Sequence, residues 1–119
     1  RAKHIVEENA RVKQAGQLLS MGNIEAFGAL LFDSHDSSRQ NFDNSCPELD
    51  ILVELGHTLP GCLGARLSGG GFGGISIHLV QAEAAATYCE RLATAYSTRI
   101  GTQPTTMTCE FGGGAERYV

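Results

Sequence analysis

The feature with most chemical content is a run in which five of six consecutive residues lack a side chain: Gly69, Gly70, Gly71, Phe72, Gly73 and Gly74. Glycine loses more conformational freedom on ordering than any other residue, about 0.5–1 kcal/mol relative to alanine in a regular element. A tight hairpin needs only one or two glycines. Five imply either that a ligand must come close to the backbone or that the segment must move. Successive exposed N–H groups form a concavity that binds anions, phosphate above all. A long flexible hairpin with bulges accounts for the same composition, and the residues alone leave both readings open.

Other formal matches carry less. Gly69, Gly71 and Gly74 satisfy G-x-G-x-x-G, but any glycine run does so, and this one joins strand to strand where a dinucleotide fingerprint joins strand to helix. Gly-Lys-Ser/Thr does not occur, so there is no Walker lysine. Ser34, His35 and Asp36 have the residue types of a triad, but sequence neighbours cannot converge as a triad does. His35 reads as a helix-surface or helix-packing residue, and His78 as a satisfied strand residue. Arg66 stands two residues before Ser68, where it can meet a phosphate or pair with a carboxylate; the ion pair is the simpler reading. Histidines, cysteines and carboxylates show no metal-ligand spacing. Cys46, Cys62, Cys89 and Cys109 read as reduced core residues, being too sparse for a disulfide scaffold.

These residues must be positioned by a small domain. The 119 residues, 42% hydrophobic and 18% charged, suit one compact core, so residues 1–119 are expected to form a single domain. A formal charge of -4 argues against a nucleic-acid partner and against docking on anionic lipid. No apolar run is long enough to span a bilayer. The chain begins with Arg1, which is expected of a piece of something longer.

The first half has helical periodicity. Ala2, Ile5, Val12, Ala15 and Leu19 share a stripe that predicts a buried helix face. Asn23 is the expected N-cap of a second helix that buries Ile24, Phe27, Leu30 and Leu31, with Ser34 at the end of the same face. Ser45, Pro47 and Glu48 predict a third helix opening on a capping box, with Leu49, Leu52, Val53 and Leu55 on its apolar face. The second half begins with a short strand over residues 65–68. Ile75, Ile77 and Leu79 then alternate with Ser76 and His78 as a second strand. Residues 82–99 return to helical spacing, closed by Gly101 and Pro104. Met107, Cys109 and Phe111 alternate as a third strand. Helices first, then a small antiparallel sheet with a crossover helix, predict a two-layer α+β domain.

Two segments at this separation carry a specific resemblance: Ser45-Cys46-Pro47-Glu48-Leu49-Asp50 with Leu52 and Val53, and Gly64-Ala65-Arg66-Leu67-Ser68 followed by the glycine run. Together with the Leu30–His35 stretch and the opening residues, they resemble the C-terminal domain of the galactokinases, small-molecule kinases of the GHMP type. Ser68 stands where threonine is usual and Ile75 where cysteine is usual. The resemblance implies a ferredoxin-like α+β fold and a cytoplasmic two-domain parent. That parent transfers phosphate from Mg-ATP to the anomeric hydroxyl of galactose. It implies that the N-terminal kinase domain, absent here, holds the catalytic residues, the sugar site and the main phosphate loop. This segment then contributes no catalytic residue and no metal ligand. Its part is a cleft-bordering, nucleotide-binding motif of Ser68, Gly69, Gly70, Gly71, Phe72, Gly73 and Gly74. A face left without that partner domain implies self-association of the fragment. A kinase for N-acetylgalactosamine or arabinose, or a non-enzymatic sugar sensor on the same scaffold, shares this pattern.

Overall fold

The computed structural model describes residues 1–69 and 74–109. Helices α1 (Ala2–Ser20) and α2 (Ile24–Ser37) are followed by a π-helical turn (Ser38–Phe42) and by α3 (Pro47–Thr58). Strands β1 (Cys62–Ser68) and β2 (Ile75–Val80) come next, then a single 3₁₀ turn (Ala82–Ala84) and α4 (Ala85–Ile100). Asn23 caps α2 as expected, its side chain accepting from the Ala26 N–H at 3.2 Å. Gly101, in the left-handed region at φ 91°, ends α4.

The two strands pair antiparallel, with Ser68 opposite Ile75, Leu67 opposite Ser76, Arg66 opposite Ile77 and Ala65 opposite His78. Side chains of directly opposed residues share a face. Ala65, Leu67, Ser76, His78 and Val80 therefore turn to one side. There they meet α3 and α4, whose Leu55, Tyr88, Leu92 and Tyr96 form the core with Ile51, Leu52, Leu59 and Cys62 against it. Ala65 and Leu67 are almost wholly buried. Gly56 of α3 lets that helix settle on the sheet: a Cβ there would stand 3.3 Å from Ala65 Cβ and 3.5 Å from His78 Nδ1.

Helix α2 packs on β1. It presses against β1 so closely that a Cβ added to Gly28 would overlap the Leu63 carbonyl, and one added to Gly64 would overlap the Gly28 backbone. Seven residues further along α2, His35 accepts the Leu67 N–H on its Nδ1 at 3.0 Å. A helix in this place must be small where the backbones touch and must offer acceptors where the strand offers donors. The buried residues of α2 are accordingly Gly28, Ser34, His35 and Ser37, whereas Phe27, Leu30 and Leu31 are only half-buried and Ile24 is exposed.

Four expectations are corrected by this arrangement. The apolar stripe of α1 is not buried: Ile5, Val12 and Leu19 are exposed, and α1 has no buried residue. Its inward side is polar, with His4 Nδ1 2.9 Å from Ser37 Oγ and Glu8 between Arg11 and Arg66. The expected alternation of β2 is present, with Ile75 and Ile77 facing out and Ser76 and His78 facing in, because Leu67 and Ala65 set the inner face of their partner strand. The capping box shifts by one residue. Pro47 takes the first helical position, so Cys46 becomes the N-cap and the Ser45 hydroxyl donates to Asp50 Oδ1 at 2.6 Å, not to the Glu48 end of the box. The sheet of the described residues has two strands, and residues 106–109 are not a strand. Phe111 lies outside the described residues. The four cysteines are free, but Cys109 is exposed and so is not a core residue.

The α2–β1 approach predicts opposite outcomes at two helical glycines. Gly28→Ala should destabilise the domain by about 3 kcal/mol or more, since the obstruction is backbone and cannot rotate away. Gly16→Ala, where a Cβ meets nothing within 4 Å, should stabilise it by about 0.5–1 kcal/mol. Urea denaturation midpoints of the two variants measure this; equal effects would contradict the packing described.

Candidate functional site

The glycine segment begins where β1 ends. Ser68 and Ile75 make the last cross-strand pair, so residues 69–74 connect the strands. Two residues suffice for a hairpin, and the connection is three times that length. Gly69 has φ +69° with open space around the position of a Cβ, so backbone conformation rather than crowding calls for glycine there. Gly74 follows in a bend before β2. Of the expected nucleotide-binding residues, Ser68, Gly69 and Gly74 are thus placed at the mouth of the hairpin. Gly70, Gly71, Phe72 and Gly73 lie outside the described residues.

The approach to this mouth is held by a buried polar relay. His35 is 2% exposed. Its Nδ1 accepts from Leu67, the residue before Ser68, so its hydrogen must sit on Nε2, which donates to Asp50 Oδ1 at 2.9 Å. Asp50 accepts the Ser45 hydroxyl on the same oxygen at 2.6 Å. Three elements are tied together: α2 through His35, α3 through Asp50, and β1 through Leu67. The residue types serine, aspartate and histidine meet here, but the serine bonds the carboxylate and not the imidazole, so no nucleophile is activated. Asp36 instead pairs with Arg39 at 3.6 Å. The part played by His35 was not legible in sequence, because its partners lie 15 and 32 residues away.

Arg66 takes the ion pair. Its guanidinium lies 3.6 Å from Glu8 Oε2 on α1, and its Nε donates to the Leu67 carbonyl at 2.8 Å. Burial works to raise the pKa of Glu8. Arg11, the nearby Ser34 hydroxyl and the charge of Arg66 outweigh it and hold the carboxyl below its usual range. Arg66 is therefore engaged with α1 on the outer face. Among the described residues no three His, Cys, Asp or Glu side chains are grouped to hold a metal ion.

A second buried histidine sits on the inner face. His78 Nδ1 meets the Tyr88 hydroxyl, and its Nε2 lies 2.9 Å from Ser76 Oγ. Burial, with the proximity of His35 second, lowers its pKa to about 4. Burial likewise raises Tyr88 well above its ordinary range, reinforced by Cys62, so the tyrosine stays a neutral donor. The Cys62 thiol is raised by the same burial. These groups are locked as uncharged packing partners between β2 and α4.

Comparison with known proteins places this geometry. The family described as GHMP kinases C terminal matches residues 12–98. A galactokinase of Roseiflexus sp. (strain RS-1) is 39% identical over 119 residues, which is 100% of this chain and 30% of that protein. The human galactokinase is 48% identical over 85 residues, 71% of this chain and 22% of its own length. In three dimensions the chain is similar to Lactococcus lactis galactokinase, solved in complex with galactose, with a TM-score of 0.82 and 37% identity. That match covers 87% of this chain and 26% of the other. The chain thus spans less than a third of the length of these relatives. No helix among the described residues is long and apolar enough to cross a membrane.

The depressed pKa of His78 has a consequence for stability. The unfolded chain takes up a proton near pH 6.5, whereas the folded chain resists it down to about 4. Stability from this group is therefore complete above about pH 6.5. It falls as pH drops through that window, with a ceiling of about 3 kcal/mol. Comparing unfolding free energies of the wild type and His78→Gln at pH 7.5 and 4.5 isolates it. The wild type should lose more than the variant, and parallel losses would contradict the assignment.

Proposed function

The chain belongs to the GHMP kinase C-terminal family, and on that premise we propose that it is the C-terminal domain of a galactokinase. The parent would be a two-domain, cytoplasmic enzyme that transfers the γ-phosphate of Mg-ATP to the anomeric hydroxyl of galactose. The observation that carries this reading is the coincidence of likenesses. A relative 39% identical over the whole chain is a galactokinase, and the chain is similar in three dimensions to a galactokinase solved in complex with galactose. A kinase for another sugar shares the scaffold, but no feature of this segment favours one.

Phosphoryl transfer is accomplished chiefly by positioning and by electrostatic stabilisation of charge on the phosphoryl oxygens. The residues assigned to this task are Ser68, Gly69, Gly70, Gly71, Phe72, Gly73 and Gly74. The sequence supplies backbone N–H groups without side chains to obstruct them, and β1 delivers Ser68 and Gly69 from a rigidly held strand. ATP, when bound, supplies the transferable phosphoryl group. The contribution of this segment to Mg-ATP is N–H donation, a backbone approach and exclusion of water. Sugar binding, catalytic side chains and the main phosphate loop are assigned to the missing N-terminal domain.

The exposed apolar residues fit a domain that normally has a neighbour. Arg66 and Ile77 share the outer face, and Arg66 reaches Glu8 of α1, so exposed Ile75 and Ile77 lie on the sheet face that α1 approaches. Ile5, Val12 and Leu19 are exposed on that helix. Without the N-terminal domain such surface favours self-association.

In the full-length protein Gly71→Val should lower turnover at least tenfold, about 1.4 kcal/mol of transition-state stabilisation, with the fold intact. The 119-residue chain alone should release no ADP in response to galactose. A coupled ADP assay beside thermal unfolding decides the first: normal turnover per folded molecule with reduced stability would leave the segment a mere connection. Secondly, sedimentation of the isolated chain should show concentration-dependent association that Val12→Glu with Ile77→Glu abolishes. A monomer at every concentration would contradict the association.

A further inference from the structure

We propose that His35 is a positioning residue for the glycine segment, acting through the Leu67 N–H to set the direction in which β1 delivers Ser68 and Gly69. The inference rests on the kinase reading above and deepens it.

The geometry is that of a fixed strut. The imidazole is buried, and both ring nitrogens are committed in opposite senses, Nδ1 accepting from β1 and Nε2 donating to α3. A ring held at both ends has one orientation and one tautomer, and it transmits that orientation to whatever it bonds. What it bonds is the last buried residue of β1: Leu67 is 1% exposed, Ser68 is half-buried and Gly69 is exposed at positive φ. The strut thus grips the strand at the point where rigid core gives way to the glycine segment. Asp50 is fixed in turn by Ser45, which places the start of α3 under the same constraint. The requirement is specific to imidazole. An apolar residue of equal size would leave the Leu67 N–H buried and unpaired and would take one donor from Asp50.

Two replacements divide the functions of the two nitrogens. His35→Asn places an amide oxygen near the Nδ1 position and retains an acceptor for Leu67. His35→Gln places its amide near Nε2, retaining a donor for Asp50 while withdrawing the acceptor. In the full-length protein we expect His35→Gln to lower kcat at least tenfold. His35→Asn should stay within threefold of the wild type. Hydrogen–deuterium exchange should show residues 65–69 exchanging at least tenfold faster in His35→Gln than in His35→Asn, with α4 unchanged in both. Should His35→Gln fail to fold, Asp50→Asn, which keeps an acceptor for Nε2 and leaves Nδ1 on Leu67, should hold kcat within threefold and residues 65–69 as protected as in the wild type, and a tenfold loss of kcat there would overturn the inference. Long-range nitrogen–proton spectra of the wild type should show hydrogen on Nε2. Equal turnover in His35→Gln and His35→Asn, unchanged exchange at residues 65–69, or hydrogen on Nδ1 would each overturn the inference. Absence of galactose-dependent turnover in the wild type would instead overturn the kinase reading, and with it the positioning role.

Discussion

A helix pressed backbone to backbone against a strand is the constraint from which the rest of this domain follows. Gly28 and Gly64 bring the backbones of α2 and β1 into direct contact, and no larger residue fits at either position. Such proximity leaves the Leu67 N–H facing a helix whose own backbone acceptors are already engaged. The shortage is met by a side chain, His35, on the Leu67 N–H. The inner face of α2 is consequently small and polar. The large apolar side chains are left to α3 and α4, which close the core on the other face of the hairpin through Tyr88, Leu92 and Tyr96.

The same constraint accounts for the contrast between the two ends of the hairpin. At the core end, the strands are irregular between Cys62 and Gly64 and bury Cys62, Val80 and Leu59 against α4. At the far end, β1 is gripped by His35 at Leu67 and released two residues later at Gly69, whose positive φ turns the chain away. A stiff strand feeding a side-chain-free segment can present backbone N–H groups in a defined direction while the segment itself accommodates its ligand. The ion pair of Arg66 with Glu8 docks α1 on the outer face and takes the one nearby guanidinium of β1 away from this task.

Local signals in the sequence were sufficient for the elements and insufficient for their faces. The Asn23 cap, Pro47 at a helix start, Gly101 at a helix end and the strand period around Ile75 are each decided within a few residues, and each was legible. The buried side of α1 was not. Periodicity locates an apolar stripe but not what lies opposite it, and here Ile5, Val12 and Leu19 face away from α2 while His4 and Glu8 make the contacts. The period of β2 likewise left its inner face undecided, since Ala65 and Leu67 on the partner strand determine it. The glycine segment was legible as a candidate site from composition alone. The relay behind it was not, because Ser45, Asp50, His35 and Leu67 are brought together only by the α2–β1 contact.

The central claim is that this hairpin delivers its glycine segment to the nucleotide of a sugar kinase. It is tested most directly by backbone hydrogen exchange in the full-length protein, with and without galactose and a non-hydrolysable Mg-ATP analogue. The account predicts that the two ligands together slow exchange across residues 68–75 while leaving α4 as it was. Equal exchange across residues 68–75 in the free and the liganded protein would contradict it.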